Sequence, residues 1–125
     1  MKLGVSAGVF GKRAAVNLDL VKHAENLGFD SAWTAEAYGN DAVTAATWLL
    51  AHTTKLKVGT AIMQMPARTP AMAAMTAMSL DHLSGGRFIL GLGPPGGGRL
   101  ARPPLWQAAD AYTRVHRDHP QDHGP

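Results

Sequence analysis

The stretch LKVGTAIMQMPARTPAMAAMTAMSLDHLSGGRFILGLG, Leu56 to Gly93, decides the fold class. Leu56 to Met63 is a short apolar run that reads as a strand. Thr69-Pro70 then supplies a hydroxyl cap and a proline at the first helical position, where a missing N–H costs nothing, and Ala71 to Leu83 continues as a helix. Ser84-Gly85-Gly86 makes a turn into Arg87–Gly93, an apolar run without polar alternation that predicts a strand buried on both faces. Strand, helix and strand joined by short connections form the repeating unit of a parallel α/β sheet.

The same grammar runs back to the N-terminus. Leu3 to Phe10 suits a buried strand, and the helix after it places Val16, Leu20, Ala24 and Leu27 on one face. Gly28 ends that helix as a left-handed cap. Asp30 to Ala35 reads as the next strand, and Asn40 or Asp41 can cap a helix holding Val43, Ala46, Leu49 and Leu50. The order β-α-β-α-β-α-β fits either a doubly wound sheet or part of a (β/α)₈ barrel. A complete barrel takes about 250 residues, so length by itself favours the doubly wound sheet.

Composition narrows the function classes. A chain of 125 residues with 46% apolar and 17% charged residues is globular and holds one domain. Its apolar runs are too short to span a bilayer, and the N-terminus carries no cleavable leader pattern, so a cytoplasmic protein without a membrane partner is expected. Having no cysteine excludes disulfides, thiolate zinc sites and cysteine nucleophiles. The net charge of +3 comes from scattered residues rather than a basic stripe interleaved with aromatics, so no nucleic-acid partner is expected.

Few residues stand out as chemistry. Glu36 follows the second strand, at the carboxyl rim where parallel α/β sheets bind ligands, and could hydrogen-bond a ring N–H of a cofactor. Thr60, Ala61, Ile62 and Gln64 end the third strand on the same rim, with an amide at Gln64 and a close backbone edge at Ala61-Ile62. Gly91-Leu92-Gly93-Pro94-Pro95-Gly96 matches the dinucleotide fingerprint in form, but Pro94 and Pro95 have no N–H to give a pyrophosphate. Met72, Met75 and Met78 recur at helical spacing and read as packing. His116, His119 and His123 have metal-like spacing but lie in a stretch with no helical pattern, so no metal is expected.

Leu27-Gly28-Phe29-Asp30-Ser31-Ala32-Trp33-Thr34-Ala35-Glu36-Ala37-Tyr38-Gly39, together with the run from Val58 to Gly93, closely resembles the luciferase-like monooxygenase superfamily, specifically its coenzyme F420-dependent oxidoreductases. The resemblance covers residues 1–93. It implies a (β/α)₈ barrel, here a partial one of about four N-terminal units, and overrules the argument from length. It implies an oxidoreductase acting on paired donors, with F420 or in other branches FMN at the carboxyl ends of the strands and a small organic molecule as substrate. Glu36 matches an acidic residue near the deazaflavin ring, although the histidine that follows it in some relatives is Ala37 here. Ala61-Ile62 matches a non-prolyl cis peptide that buttresses the ring, Gln64 matches a cofactor-contacting position, and no catalytic residue is assigned.

Beyond Gly93 the resemblance stops. Relatives continue with a motif like GPQVVEGWHGxPYGKPL, where this chain has PPGGGRL. Codons read one nucleotide later permit valines at Gly96 and Gly97, Trp at Leu100 and Gly at Arg102, while Trp106-Gln107 forces Gly followed by Lys or Arg. Residues 94–125 therefore read as an irregular, out-of-frame tail, and six of the eight prolines lie there. Four units leave two open sheet edges and half of the rim loops. The chain by itself is accordingly expected to be a truncated, inactive form, or a non-enzymatic fragment. Exposed helix faces or open sheet edges would then pair with another copy or a complementary half.

Overall fold

The protein was analysed as a computed structural model that describes residues 1–7, 15–36 and 41–94. Local chemistry sets most boundaries. The Asn17 side chain accepts the Leu20 N–H and starts α1 (Leu18–Asn26), which ends before Gly28 at φ 82°. Asp41 caps α2 (Ala42–His52) by accepting the Thr44 N–H at 2.6 Å. Thr69 caps α3 (Pro70–Ser84), which has Pro70 in its first turn and closes on Gly85 in the left-handed conformation.

Between the helices run β1 (Gly4–Ser6), β2 (Ser31–Thr34), β3 (Lys57–Thr60) and β4 (Met63–Gln64), followed after α3 by β5 (Phe88–Ile89) and β6 (Leu92–Gly93). A 3₁₀ turn at Met65–Ala67 links β4 to α3. The main sheet is parallel in the order β1-β2-β3-β5, and β4 pairs parallel with β6 beyond it. Strands neighbouring in sequence are neighbours in space, with no reversal of direction along the sheet. A doubly wound sheet requires such a reversal. Sequential order is the winding of a (β/α)₈ barrel, and the described residues form a four-stranded arc of one with three of its helices.

The two faces of the arc are chemically distinct. Ala32 and Val58 turn toward the helices and join Val21, Ala46, Leu49, Leu50, Leu56 and Leu80 in the core. On the other face the Trp33 indole lies across the neighbouring strands. A β-carbon at Gly59 would collide with its ring, and its Nε1 donates to Ser31 Oγ at 3.0 Å.

The structure corrects several sequence expectations. The buried stripe of α1 is Val21 and Ala24, with Leu18 packed alongside, whereas Leu20 and Leu27 are 46% and 65% exposed. Val16 and Ala24 pack inward as expected, while Val21 takes the inward position expected of Leu20 and Leu27 lies past the last helical residue, Asn26. In α3 the packing face is Ala73, Ala74, Ala77 and Leu80, and Met72 and Met75 are exposed, because small side chains let the helix lie close on β5. The expected third strand is two, β3 and β4, and the expected fourth is β5 and β6. At the second break the Gly91 N–H donates to the Thr60 hydroxyl in place of a strand carbonyl, and the Gly91 carbonyl accepts both that hydroxyl and the Met63 N–H. Phe88 and Ile89 are half-buried instead of covered on both faces, since β5 lies at the edge of the described sheet. The continuation of the first strand to Phe10, the alternative cap at Asn40, Ala37, the histidines of the tail and the tail from Pro95 onward lie outside the described residues.

At the amino ends of the strands a carboxylate and a guanidinium pin the α2–β3 loop. Glu25 Oε1 accepts the N–H groups of Thr54, Lys55 and Leu56 at 2.9, 2.7 and 2.9 Å. Burial pushes the Glu25 carboxyl upward, but these three donors and the nearby Arg87 outweigh it and hold the group below the ordinary glutamate range. A depressed folded value gives stability that is complete above the unfolded value and is lost as pH falls through the folded one. The melting midpoint is therefore expected to fall as pH drops below about 4, and Glu25→Gln is expected to be less stable at neutral pH with a shallower fall through that window. Thermal melts across an acid pH series check both.

Candidate functional site

All four strands of the main sheet run the same way, so the residues after β2 and β3 meet at one rim. Hydrogen bonds weld this rim together. The Ala61 N–H donates to the Thr34 carbonyl at 2.6 Å, and the Glu36 N–H donates to the Ile62 carbonyl at 3.1 Å. Thr34 Oγ1, fully buried, donates to the Ala42 carbonyl at 2.9 Å and joins the end of β2 to the start of α2. The peptide between Ala61 and Ile62, in the corner between β3 and β4, is cis, as the resemblance implies.

Glu36 stands at the centre of the rim. Its Oε2 accepts the Gln64 N–H at 2.7 Å and Arg68 Nη1 at 2.9 Å, and its Oε1 accepts Arg68 Nη2 at 2.8 Å and the Ala42 N–H at 3.4 Å. The pair is bidentate and nearly sealed, with side chains 10% and 17% exposed for Glu36 and Arg68. Arg68 Nη2 also donates to Asp41 Oδ1. Asp41 Oδ2 accepts from the amide and hydroxyl of Thr44. The hydrogen bonds to Glu36 raise the Arg68 pKa against the opposing effect of burial. Burial pushes the Asp41 carboxyl up, but the Thr44 bonds and the Arg68 charge outweigh it and hold the group below the ordinary aspartate range.

The expected site residues are thus together at one rim. Ala61 is exposed at the corner, and Ile62 and Gln64 are half-buried beside it. Gln64 Nε2 donates to the Glu36 carbonyl at 3.3 Å, which leaves the amide oxygen as an acceptor. Thr60 belongs to the scaffold: it is 1% exposed and its hydroxyl is spent on Gly91. Glu36 is on the rim where it was expected, yet its carboxylate is occupied by protein donors. Arg68 was missed. It is the only charged residue between Lys57 and Asp81, and a lone guanidinium after one rim strand with an acid after the next was the available signal. Among the described residues no group of three or more His, Asp or Glu could hold a metal, and no helix is long and apolar enough to cross a membrane.

A sequentially wound parallel arc with a polar rim and a cis-peptide corner defines a partial barrel of the (β/α)₈ class. The chain belongs to the luciferase-like monooxygenase family, whose match covers residues 1–110 and so runs past Gly93, where the sequence resemblance was expected to stop. It is 50% identical over 97 residues to a Mycobacterium tuberculosis protein named as a coenzyme F420-dependent oxidoreductase, covering 77% of this chain and 28% of that one. It is 42% identical over 74 residues to the 5,10-methylenetetrahydromethanopterin reductase of Methanolobus tindarius, covering 58% of this chain and 23% of that one. Among solved structures, the F420-dependent tetrahydromethanopterin reductase of Methanopyrus kandleri superposes with a TM-score of 0.62 at 30% identity, over 78% of this chain and 28% of that one. An FMN-bound type II Baeyer–Villiger monooxygenase from Pseudomonas putida superposes at 0.72 over 94% of this chain and 40% of that one, and at 14% identity shares the fold alone. The chain thus spans about a quarter of the length of the curated relatives it matches.

Proposed function

We propose that this rim is the ring-seating part of an F420-dependent oxidoreductase. The observation that carries the reading is the junction of the ends of β2 and β4 through Glu36, Ile62 and Gln64, which leaves Ala61 exposed and the Gln64 amide oxygen without a partner among the described residues, beside the backbone corner. An exposed apolar edge next to one amide acceptor suits a flat heterocycle with a ring N–H. When bound, a deazaflavin supplies hydride transfer to or from a small organic substrate. The protein's own residues do the placing: Ala61 and Ile62 form the wall, Gln64 offers the hydrogen bond, and Trp33 fills the barrel interior behind the rim. F420 is favoured over FMN because the relative at 50% identity is named for it.

Titration of the purified chain with F420 and with FMN, followed by cofactor fluorescence, tests the assignment. F420 is expected to bind the more tightly; equal affinity, or a preference for FMN, would move the chain to the flavin branch. Four of the eight strands of a complete barrel, and three of its helices, are present among the described residues. The 125-residue chain assayed alone is therefore expected to give no turnover. Bleaching of the deazaflavin's visible absorbance with an added donor at rates typical of intact enzymes would overturn that.

A further inference from the structure

We propose that Arg68 is the positioning residue of this rim, acting through Glu36. In this assignment the Gln64 amide oxygen, not the Glu36 carboxylate, meets the bound ring. The inference rests on the ring-seating function above, but its structural half stands independently of it.

A carboxylate offers about four acceptor sites on its two oxygens. Those of Glu36 face four donors: both Arg68 η nitrogens, the Gln64 N–H and the Ala42 N–H. A ring N–H approaching this carboxylate would have to displace one of them. These donors come from three residues, each of which fixes a different part of the rim. The Gln64 N–H sets β4, the Ala42 N–H sets the start of α2, and Arg68 brings in the turn that leads to α3. Asp41 accepts a second bond from the same Nη2 that Glu36 holds, so Arg68 is clamped by two carboxylates of neighbouring segments. Without Arg68 a nearly buried Glu36 would lack its counter-ion, and it would rehydrate by swinging away from the corner it now holds. Gln64 loses with it the carboxylate that holds its N–H, and only the bond from its Nε2 to the Glu36 main-chain carbonyl is left.

The test compares Arg68→Met, Arg68→Lys, Glu36→Gln, the Glu36→Gln/Arg68→Met double variant and Gln64→Ala in the full chain by two readouts. The first is amide hydrogen exchange, which needs no cofactor. Arg68→Met and Glu36→Gln are expected to speed exchange at the Gln64 and Ala42 amides by about tenfold or more. The double variant should add little, and the Lys55 amide held by Glu25 at the opposite, amino end of the strands should be unchanged. Arg68→Lys keeps the charge but loses the bidentate fork and is expected to fall between wild type and Arg68→Met, so it serves as the test if Arg68→Met does not fold. Wild-type protection of Gln64 in Arg68→Lys and Arg68→Met would overturn the positioning role.

The second readout is F420 titration. Arg68→Met and Glu36→Gln are expected to weaken binding by similar factors, and Gln64→Ala to weaken it while leaving Ala42 exchange intact. Loss of binding in Glu36→Gln with retention in Arg68→Met would show Glu36 to be a direct ligand and overturn the proposal. A wild-type chain that binds no deazaflavin would count against the cofactor assignment, while the exchange data would still decide the role of Arg68.

Discussion

Gly91→Ala is expected to destabilise the protein by about 3 kcal/mol, the upper end of the usual cost of inserting an atom where none fits. For a domain of this size that is roughly a 15 °C fall in melting midpoint. A β-carbon at Gly91 would overlap the Thr60 carbonyl oxygen, which is main chain and cannot rotate away. The overlap falls at a junction. The Gly91 carbonyl accepts both the Thr60 hydroxyl at 2.9 Å and the Met63 N–H at 2.8 Å, and the Gly91 N–H donates back to Thr60 Oγ1 at 3.0 Å. Moving Gly91 to relieve the clash therefore loosens the joint between the main sheet and the β4–β6 pair. Thr60→Val, which keeps the shape and removes the hydroxyl, is expected to cost about 1–3 kcal/mol. Its effect should be less than additive with Gly91→Ala, because both variants break the same bonds. A melting midpoint for Gly91→Ala within a degree or two of wild type would show that β3 and β6 are not joined in this way.

Arg87→Ala is expected to cost a similar amount, about 3 kcal/mol, from the loss of several partly buried bonds to one charged group. The guanidinium donates to the Leu50, Leu56 and Ser84 carbonyls and to Thr53 Oγ1 at 2.9–3.1 Å. Leu50 lies in the last turn of α2, where carbonyls lack helical partners and a positive charge is favourable. Leu56 leads into β3 and Ser84 ends α3, so one side chain ties two helix ends to a strand. Arg87→Lys keeps the charge but not the fork and is expected to recover less than half of the loss. Urea unfolding of the two variants beside wild type measures both. An Arg87→Lys protein as stable as wild type would mean that charge alone, and not the geometry of the guanidinium, holds this end of the sheet.

Both residues lie in the stretch that makes the fold class legible, yet neither role could be read from it. Sequence reasoning narrowed the start of α2 to Asn40 or Asp41, located Thr69-Pro70 as a helix start and Gly28 as a helix end, and put a turn at Ser84-Gly85-Gly86, because caps and turns are decided by residues a few positions apart. Glu36 and Gln64 were placed on one rim by their positions after two successive strands. The bonds that matter most at that rim span far more chain: Glu36 and Arg68 are 32 positions apart, and Thr60 and Gly91 are 31 apart. Periodicity carries no information at such separations. The methionines of α3 were misread for a related reason, since helical spacing shows that residues share a face without showing whether that face or the alanine face meets the sheet.

The sequence by itself determined the alternation of strands and helices, the helix ends, the likeness to F420-dependent enzymes and the residues that gather at the rim, all of which depend on local conformational preference or on a recognisable run of residues. Tertiary structure alone decided the division of β3 from β4 and β5 from β6, and the occupation of the Glu36 carboxylate by Arg68. These are choices among partners distant in the chain, and they are settled by which buried polar groups find a donor or acceptor once the strands lie side by side.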